Sequence, residues 1–93
     1  MNMAIFTSGG DCAGMNSAIK HFVDYCFDRG FRPYLIDDGL EGLIDGNIRK
    51  ANHNDVAGIL HEGGTILRSS RSKRFFDYEY RKQAYKNLVS NDI

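Results

Sequence analysis

The chain lacks most of what would place it outside ordinary globular proteins. It has one proline against ten glycines, with 42% hydrophobic and 26% charged residues, which excludes collagen-like repeats and argues against disorder. It has no net charge, because twelve basic and twelve acidic side chains cancel. That removes the bulk electrostatic case for binding nucleic acid or a membrane surface. No apolar run approaches the roughly 20 residues of a membrane span. Met3-Ala4-Ile5-Phe6 is too short for the core of a signal peptide. The two cysteines, Cys12 and Cys26, make no disulfide framework and fit no metal-ligand spacing. They read as reduced thiols of a cytoplasmic protein. A chain of 93 residues is one small soluble domain at most, burying roughly 60–70% of its unfolded surface around a marginal core. Such a chain holds part of an enzyme site more readily than a whole one.

What is present is a change of hydrophobic period along the chain. Met3 to Thr7 is a short apolar run stopped by glycines, as in a buried strand. Met15, Ala18, Ile19, Phe22, Val23 and Cys26 then recur at helical spacing, with Asn16, Ser17, Lys20 and Asp24 off that stripe. Gly30 stands where a helix C-cap belongs. The spacing predicts an amphipathic helix over 14–29, followed by a strand at Pro33-Tyr34-Leu35-Ile36. Strand, glycine turn, helix and strand open a βαβ unit with parallel strands. The acidic stretch Asp37, Asp38, Glu41 and Asp45 is broken by Gly39, Gly42 and Gly46. Asp45-Gly46 is a hairpin dipeptide, so Leu43-Ile44 and Ile48 are expected as its flanking strands. Asn54 or Asp55 is expected to cap a helix running to His61, with Val56, Ile59 and Leu60 inward. Thr65-Ile66-Leu67 reads as extended and 68–76 as basic and irregular. Tyr80, Ala84 and Leu88 mark a last helix ending near Ser90-Asn91. The fold class expected is α/β, a partial Rossmann-like parallel sheet with a β-hairpin insertion.

The most informative stretch is Thr7-Ser8-Gly9-Gly10-Asp11-Cys12-Ala13-Gly14-Met15-Asn16, placed between the first strand and the first helix. Glycines let a backbone come close to a ligand. The unpartnered N–H groups and dipole of a helix N-terminus favour an anion. The stretch has no Gly-Lys-Ser/Thr and no dinucleotide-fingerprint spacing. On spacing alone it reads equally as a phosphate cradle or as a tight turn with no ligand. Asp11 reads either as a helix cap or as a carboxylate that would repel a phosphate unless Mg²⁺ lies between them or Asp11 touches another part of the site.

The second run is Glu62-Gly63-Gly64-Thr65-Ile66-Leu67-Arg68-Ser69-Ser70-Arg71. By itself it is a glycine turn followed by an arginine cluster. Taken together, GGD-x-x-GMN, then Asp38-Gly39 with Glu41-Gly42-Leu43, then GGT-x-L-x-S-x-R resemble the N-terminal part of the ATP-dependent 6-phosphofructokinases. The resemblance extends from Ile5 to Ile93. It implies Mg·ATP-dependent phosphorylation of fructose 6-phosphate at O1, the product being the fructose 1,6-bisphosphate of glycolysis. It also implies a homo-oligomer, tetrameric in the intact family. Gly9 and Gly10 would bind the ATP phosphates. Arg71 would bridge nucleotide and sugar phosphate as charge develops, Ser72 would complete the nucleotide-binding pair, and Asp11 would sit close to the reacting centre. Catalytic roles thus fall to Arg71 and Asp11, and ATP contacts to Gly9, Gly10, Arg71 and Ser72. No metal ligand is assigned. Phosphoryl transfer depends on positioning and charge stabilisation, and one well-placed arginine is worth about 10³–10⁵ in rate. Its rigid planar fork contacts two oxygens at once, which suits the role better than the point charge of a lysine.

The sequence departs from the family in places. Ala13 stands where proline is usual, and Leu40 where an aromatic residue supports the adenine. The arginine-rich effector positions fall on Lys20, Asp24, His53 and Gly58, so an effector site of the usual kind for ADP or phosphoenolpyruvate is not expected. The family's base motif PGTIDND and its Mg²⁺ and phosphate motif GGDGS are absent from these residues. Residues 1–93 are therefore expected to be a single truncated N-terminal nucleotide-binding segment, inactive alone. Loss of a general base by itself costs about 10²–10⁴ in rate. Pyrophosphate in place of ATP is an alternative donor. A non-catalytic nucleotide-binding or assembly module, associating through an unpaired sheet edge, is an alternative role. The basic and aromatic run from Arg68 to Phe76 suits single-stranded nucleic acid, but zero net charge and the acidic stretch weigh against it. His21, His53 and His61 share no metal-ligand spacing. Cys12, beside a helix N-terminus, is expected to be the more reactive thiol.

Overall fold

The computed structural model describes residues 1–7, 15–58, 66–68 and 72–93. Its elements are β1 (Asn2–Ile5), α1 (Met15–Arg29), β2 (Arg32–Ile36), α2 (Gly39–Asp45), β3 (Ile48–Lys50), α3 (His53–Val56), a 3₁₀ turn (Arg74–Phe76) and α4 (Tyr78–Ser90). β1 and β2 pair in parallel, with Ala4 opposite Tyr34. β2 and β3 pair antiparallel, with Leu35 opposite Arg49. The result is a mixed three-stranded sheet of order β1-β2-β3, in keeping with the expected α/β class and parallel β1–α1–β2 unit.

Successive strand residues point to opposite faces, and this divides the core in two. Leu35 faces Ile19 and Val23 of α1, together with Ala51, Val56 and Leu67. Ile36, its neighbour, faces Leu43 and Ile44 of α2 and Ala84 of α4. Helices therefore cover both faces of the sheet. Helix α1 ends as its glycine predicts: Gly30 has φ 76°. The Phe31 N–H donates to the Cys26 carbonyl at 2.7 Å and the Gly30 N–H to the Phe27 carbonyl at 3.3 Å, the two bonds of a Schellman cap.

Several local expectations are corrected. Leu43-Ile44 are not a hairpin strand but part of α2, and Ile48 pairs with β2 instead. A left-handed glycine serves a tight hairpin and a helix C-cap equally well, and Gly46, at φ 80°, does the second. The helix is chosen by what packs on it. Asn87 of α4 donates its amide to the Leu43 and Ile44 carbonyls at 2.8 and 2.9 Å, and Gln83 donates to Ile44 at 3.0 Å. These bonds satisfy last-turn carbonyls that have no partner within the helix.

The cap of α3 is Asn52, not Asn54 or Asp55. The Asp55 N–H donates to the Asn52 side chain at 3.2 Å, and the Asn52 N–H donates to the Asp55 carboxylate at 2.8 Å. This is a capping box; Ile59, Leu60 and His61 lie outside the described residues. Ile66 and Leu67 form a turn rather than an extended run. On α1, Ala18 is exposed, whereas the off-stripe Asn16 is 2% exposed. Among the described residues no helix is long and apolar enough to cross a membrane.

Candidate functional site at the carboxyl edge of the parallel strands

Open α/β sheets bind ligands outside the carboxyl ends of their parallel strands. Here that edge is organised by the three residues Ile66, Leu67 and Arg68. The Thr7 hydroxyl, just past β1, donates to the Arg68 carbonyl at 2.9 Å. The Ile66 N–H donates to the buried Asn16 side chain, in the first turn of α1, at 2.7 Å. The Asp38 N–H, just past β2, donates to the Leu67 carbonyl at 2.8 Å. The Arg68 guanidinium meets Asp38 at two points, Nε to Oδ1 at 3.1 Å and Nη2 to Oδ2 at 3.2 Å. Thr7 and Met15 flank stretch 8–14, and Arg68 and Ser72 flank stretch 69–71. The structure thus brings the flanks of both glycine- and arginine-bearing motifs to one edge. Of the residues singled out from the sequence, Gly9, Gly10, Asp11, Cys12 and Arg71 lie outside the described residues.

Ser72 is described, and it is held closely. Its hydroxyl oxygen accepts the Phe75 N–H at 3.1 Å, which starts the 3₁₀ turn whose Arg74 lies against the Glu41 carboxylate. Arg74 grips the same carboxylate through Nε at 2.7 Å and through Nη2. It also reaches Asp45 at 3.0 Å and lies over the Tyr80 ring at 5.3 Å. The Arg74 and Ser72 hydrogen bonds hold the Glu41 carboxyl below its usual range. Glu41, then Asp45, push the Arg74 guanidinium further up. Beside this, Asp37, Asp38, Asn47, Arg49 and Arg68 line a shallow cleft of about 380 Å³. Arg49 pairs there with Asp37 at 3.0 Å and with Asp55 at 3.2 Å.

Asn16, Glu41 and Arg74 carry this arrangement and were not read from the sequence as site residues. One signal was available. Asp38, Glu41 and Asp45 are spaced by three and four residues, the repeat of one helix face.

The family model for phosphofructokinase matches residues 2–93. The chain belongs to the phosphofructokinase family. It is 58% identical over 93 residues to the ATP-dependent 6-phosphofructokinase of Wolinella succinogenes, covering all of this chain and 29% of that protein. It is 60% identical over 92 residues to the ATP-dependent 6-phosphofructokinase of Sulfurimonas denitrificans, covering 99% of this chain and 29% of that one. Among solved structures, phosphofructokinase from Saccharomyces cerevisiae superposes with a TM-score of 0.96 at 39% identity, over 99% of this chain and 13% of that one. The chain spans under a third of the length of each of these phosphofructokinases.

Within the family frame, Leu40 and Glu41 are neighbours on α2. Lys20 is bonded to Asp24 at 2.7 Å, and the His53 ring stacks on Phe27 at 4.2 Å. His21 is exposed and its Nδ1 lies 2.8 Å from the Ser17 carbonyl. Among the described residues no group of three or more His, Cys, Asp and Glu could hold a metal ion.

Proposed function

We propose that residues 1–93 are the nucleotide-binding N-terminal segment of an ATP-dependent 6-phosphofructokinase. The parent activity is transfer of the γ-phosphoryl group of Mg·ATP to O1 of fructose 6-phosphate, in glycolysis. The observation that carries this reading is the joining of the two motif flanks by the Thr7–Arg68 and Asn16–Ile66 hydrogen bonds. Gly9 and Gly10 offer backbone N–H groups to the phosphates. Ser72 completes the nucleotide contact. Arg71 stabilises charge on the transferring group, and Asp11 organises the reacting centre. The ATP-dependent relatives favour ATP over pyrophosphate as donor. Mg²⁺ bound with the nucleotide would neutralise charge on its phosphates.

The chain alone is inactive in this reading, because its residues include neither the family's base motif nor its metal motif. The parent enzyme is cytoplasmic and a homo-oligomer, a tetramer, and uses neither nucleic acid nor a membrane. An effector site of the usual arginine-rich kind is not expected, since of Lys20, Asp24, His53 and Gly58 only Lys20 keeps the charge and it is bonded to Asp24.

Titration calorimetry of the chain with ATP in the presence of Mg²⁺ tests the reading. Saturable binding is expected. Arg71→Ala should weaken it roughly tenfold, the loss that follows from removing one charge-assisted hydrogen bond of about 1.5 kcal/mol. A chain that binds no ATP at millimolar concentration, or one indifferent to Arg71→Ala, would overturn the proposal. So would fructose 6-phosphate turnover by the chain alone, for its claim of inactivity.

A further inference from the structure

Glu41 is placed where a charge needs a reason. Its carboxylate is 24% exposed as a side chain and accepts from the Arg74 guanidinium, two residues past Ser72, through Nε at 2.7 Å. The Ser72 oxygen in turn accepts the Phe75 N–H at 3.1 Å. A serine hydroxyl has one proton and two lone pairs. One lone pair taken by the Phe75 N–H ties the Ser72 side chain to the turn that carries Arg74. Arg74 supplies the compensating charge and is itself braced by Asp45 and the Tyr80 ring. The far flank is fastened to the start of the same helix by the two-point Arg68–Asp38 pair.

We infer that Glu41 is a positioning residue of the nucleotide site: with Arg74 it anchors the Ser72 turn to α2 and sets the approach of the segment that Ser72 opens. The inference rests on the assignment of Ser72 to the nucleotide site made above. Glu41 touches no substrate in this role. It acts through Arg74 and the turn that Ser72 caps, and its charge makes this pair stronger than the neutral hydrogen bond an amide would offer the guanidinium.

The test is ATP titration of the 93-residue chain with Glu41→Gln, Arg74→Gln, the double variant and the exchanged pair Glu41→Arg/Arg74→Glu, with the Phe75 amide followed by NMR. Each single variant is expected to weaken ATP binding about three- to tenfold, and the double variant no more than either single, as coupled residues behave. The Phe75 amide should shift in each single variant, while the remaining amides report a folded chain. Glu41→Gln conserves shape, so a variant that unfolds is replaced by Arg74→Lys, for which partial retention of affinity is expected. Unchanged ATP affinity alongside a shifted Phe75 amide would overturn the inference and leave the functional reading standing. A wild-type chain that binds no ATP would overturn both.

Discussion

Asp38 and Arg68 both hold left-handed backbone, at φ 64° and 59°, and their side chains meet in a two-point ion pair. Neither is glycine, and for an L-residue this region costs about 1–2 kcal/mol. The surroundings must enforce it, and they do. The Leu67 carbonyl accepts the Asp38 N–H and the Arg68 carbonyl accepts the Thr7 hydroxyl. Strain of this kind gathers at binding sites and switches, and here it falls at the carboxyl edge of the parallel strands.

The strain has a measurable consequence. Arg68→Ala and Arg68→Gly both remove the ion pair, which is exposed on the arginine side and worth little by itself. Only glycine also relieves the backbone. In urea denaturation Arg68→Gly should be more stable than Arg68→Ala by about 1 kcal/mol. Equal stability would mean that the left-handed conformation is not kept in solution.

Gly42 is fixed by space rather than by φ. A Cβ built there would lie 1.5 Å from the Asp37 carbonyl oxygen, a backbone atom that cannot swing away. Gly42→Ala should cost about 3 kcal/mol or more, at or beyond the upper end of overpacking penalties. At Gly58, where nothing lies within 4 Å and φ is +77°, alanine should cost only about 1 kcal/mol. Thermal unfolding of the two variants side by side separates crowding from backbone strain.

The pH response should carry the mark of Glu41. Its carboxyl is held below the usual glutamate range by Arg74 and Ser72. A carboxylate depressed on folding stabilises fully above its unfolded pKa of about 4.3, and the contribution is lost as pH falls through the lower folded value. Glu41→Gln should therefore narrow its stability gap to wild type as pH drops below about 4.3. A gap that does not change with pH would show that the ion pair contributes nothing.

The two thiols should behave differently toward alkylating reagents. Cys26 is fully buried in α1 and burial pushes its thiol up, which suppresses the reactive thiolate. Cys12 lies in the glycine stretch. It should react faster than Cys26, and ATP should slow it, as read by mass spectrometry over a time course. Equal rates with and without nucleotide would remove the placement of stretch 8–14 at the nucleotide.

Helix α1 and the β1–β2 parallel pair were legible because each depends on short-range pattern. The 3.6-residue stripe through Ile19, Val23 and Cys26 and the Gly30 cap identify the helix without help from the rest of the chain. Helix α2 was not legible. Its seven residues are fewer than an isolated helix needs to persist, and Asp45-Gly46 favours a turn as readily as a cap. Asn87, 43 and 44 residues further along, supplies the bonds that decide it. The α3 cap was displaced for a related reason: Asn52, Asn54 and Asp55 are all good caps, and only the reciprocal Asn52–Asp55 pair distinguishes them.

The sequence by itself determined the family, because two motifs and the spacing between them survive without any knowledge of their contacts. It determined the α/β class too, because strand and helix periods are local properties. Tertiary structure alone decided how the two motifs are joined. The Thr7–Arg68, Asn16–Ile66 and Glu41–Arg74 contacts link residues 61, 50 and 33 positions apart. Such hydrogen bonds depend on where folded backbones come to lie, and no local propensity encodes that.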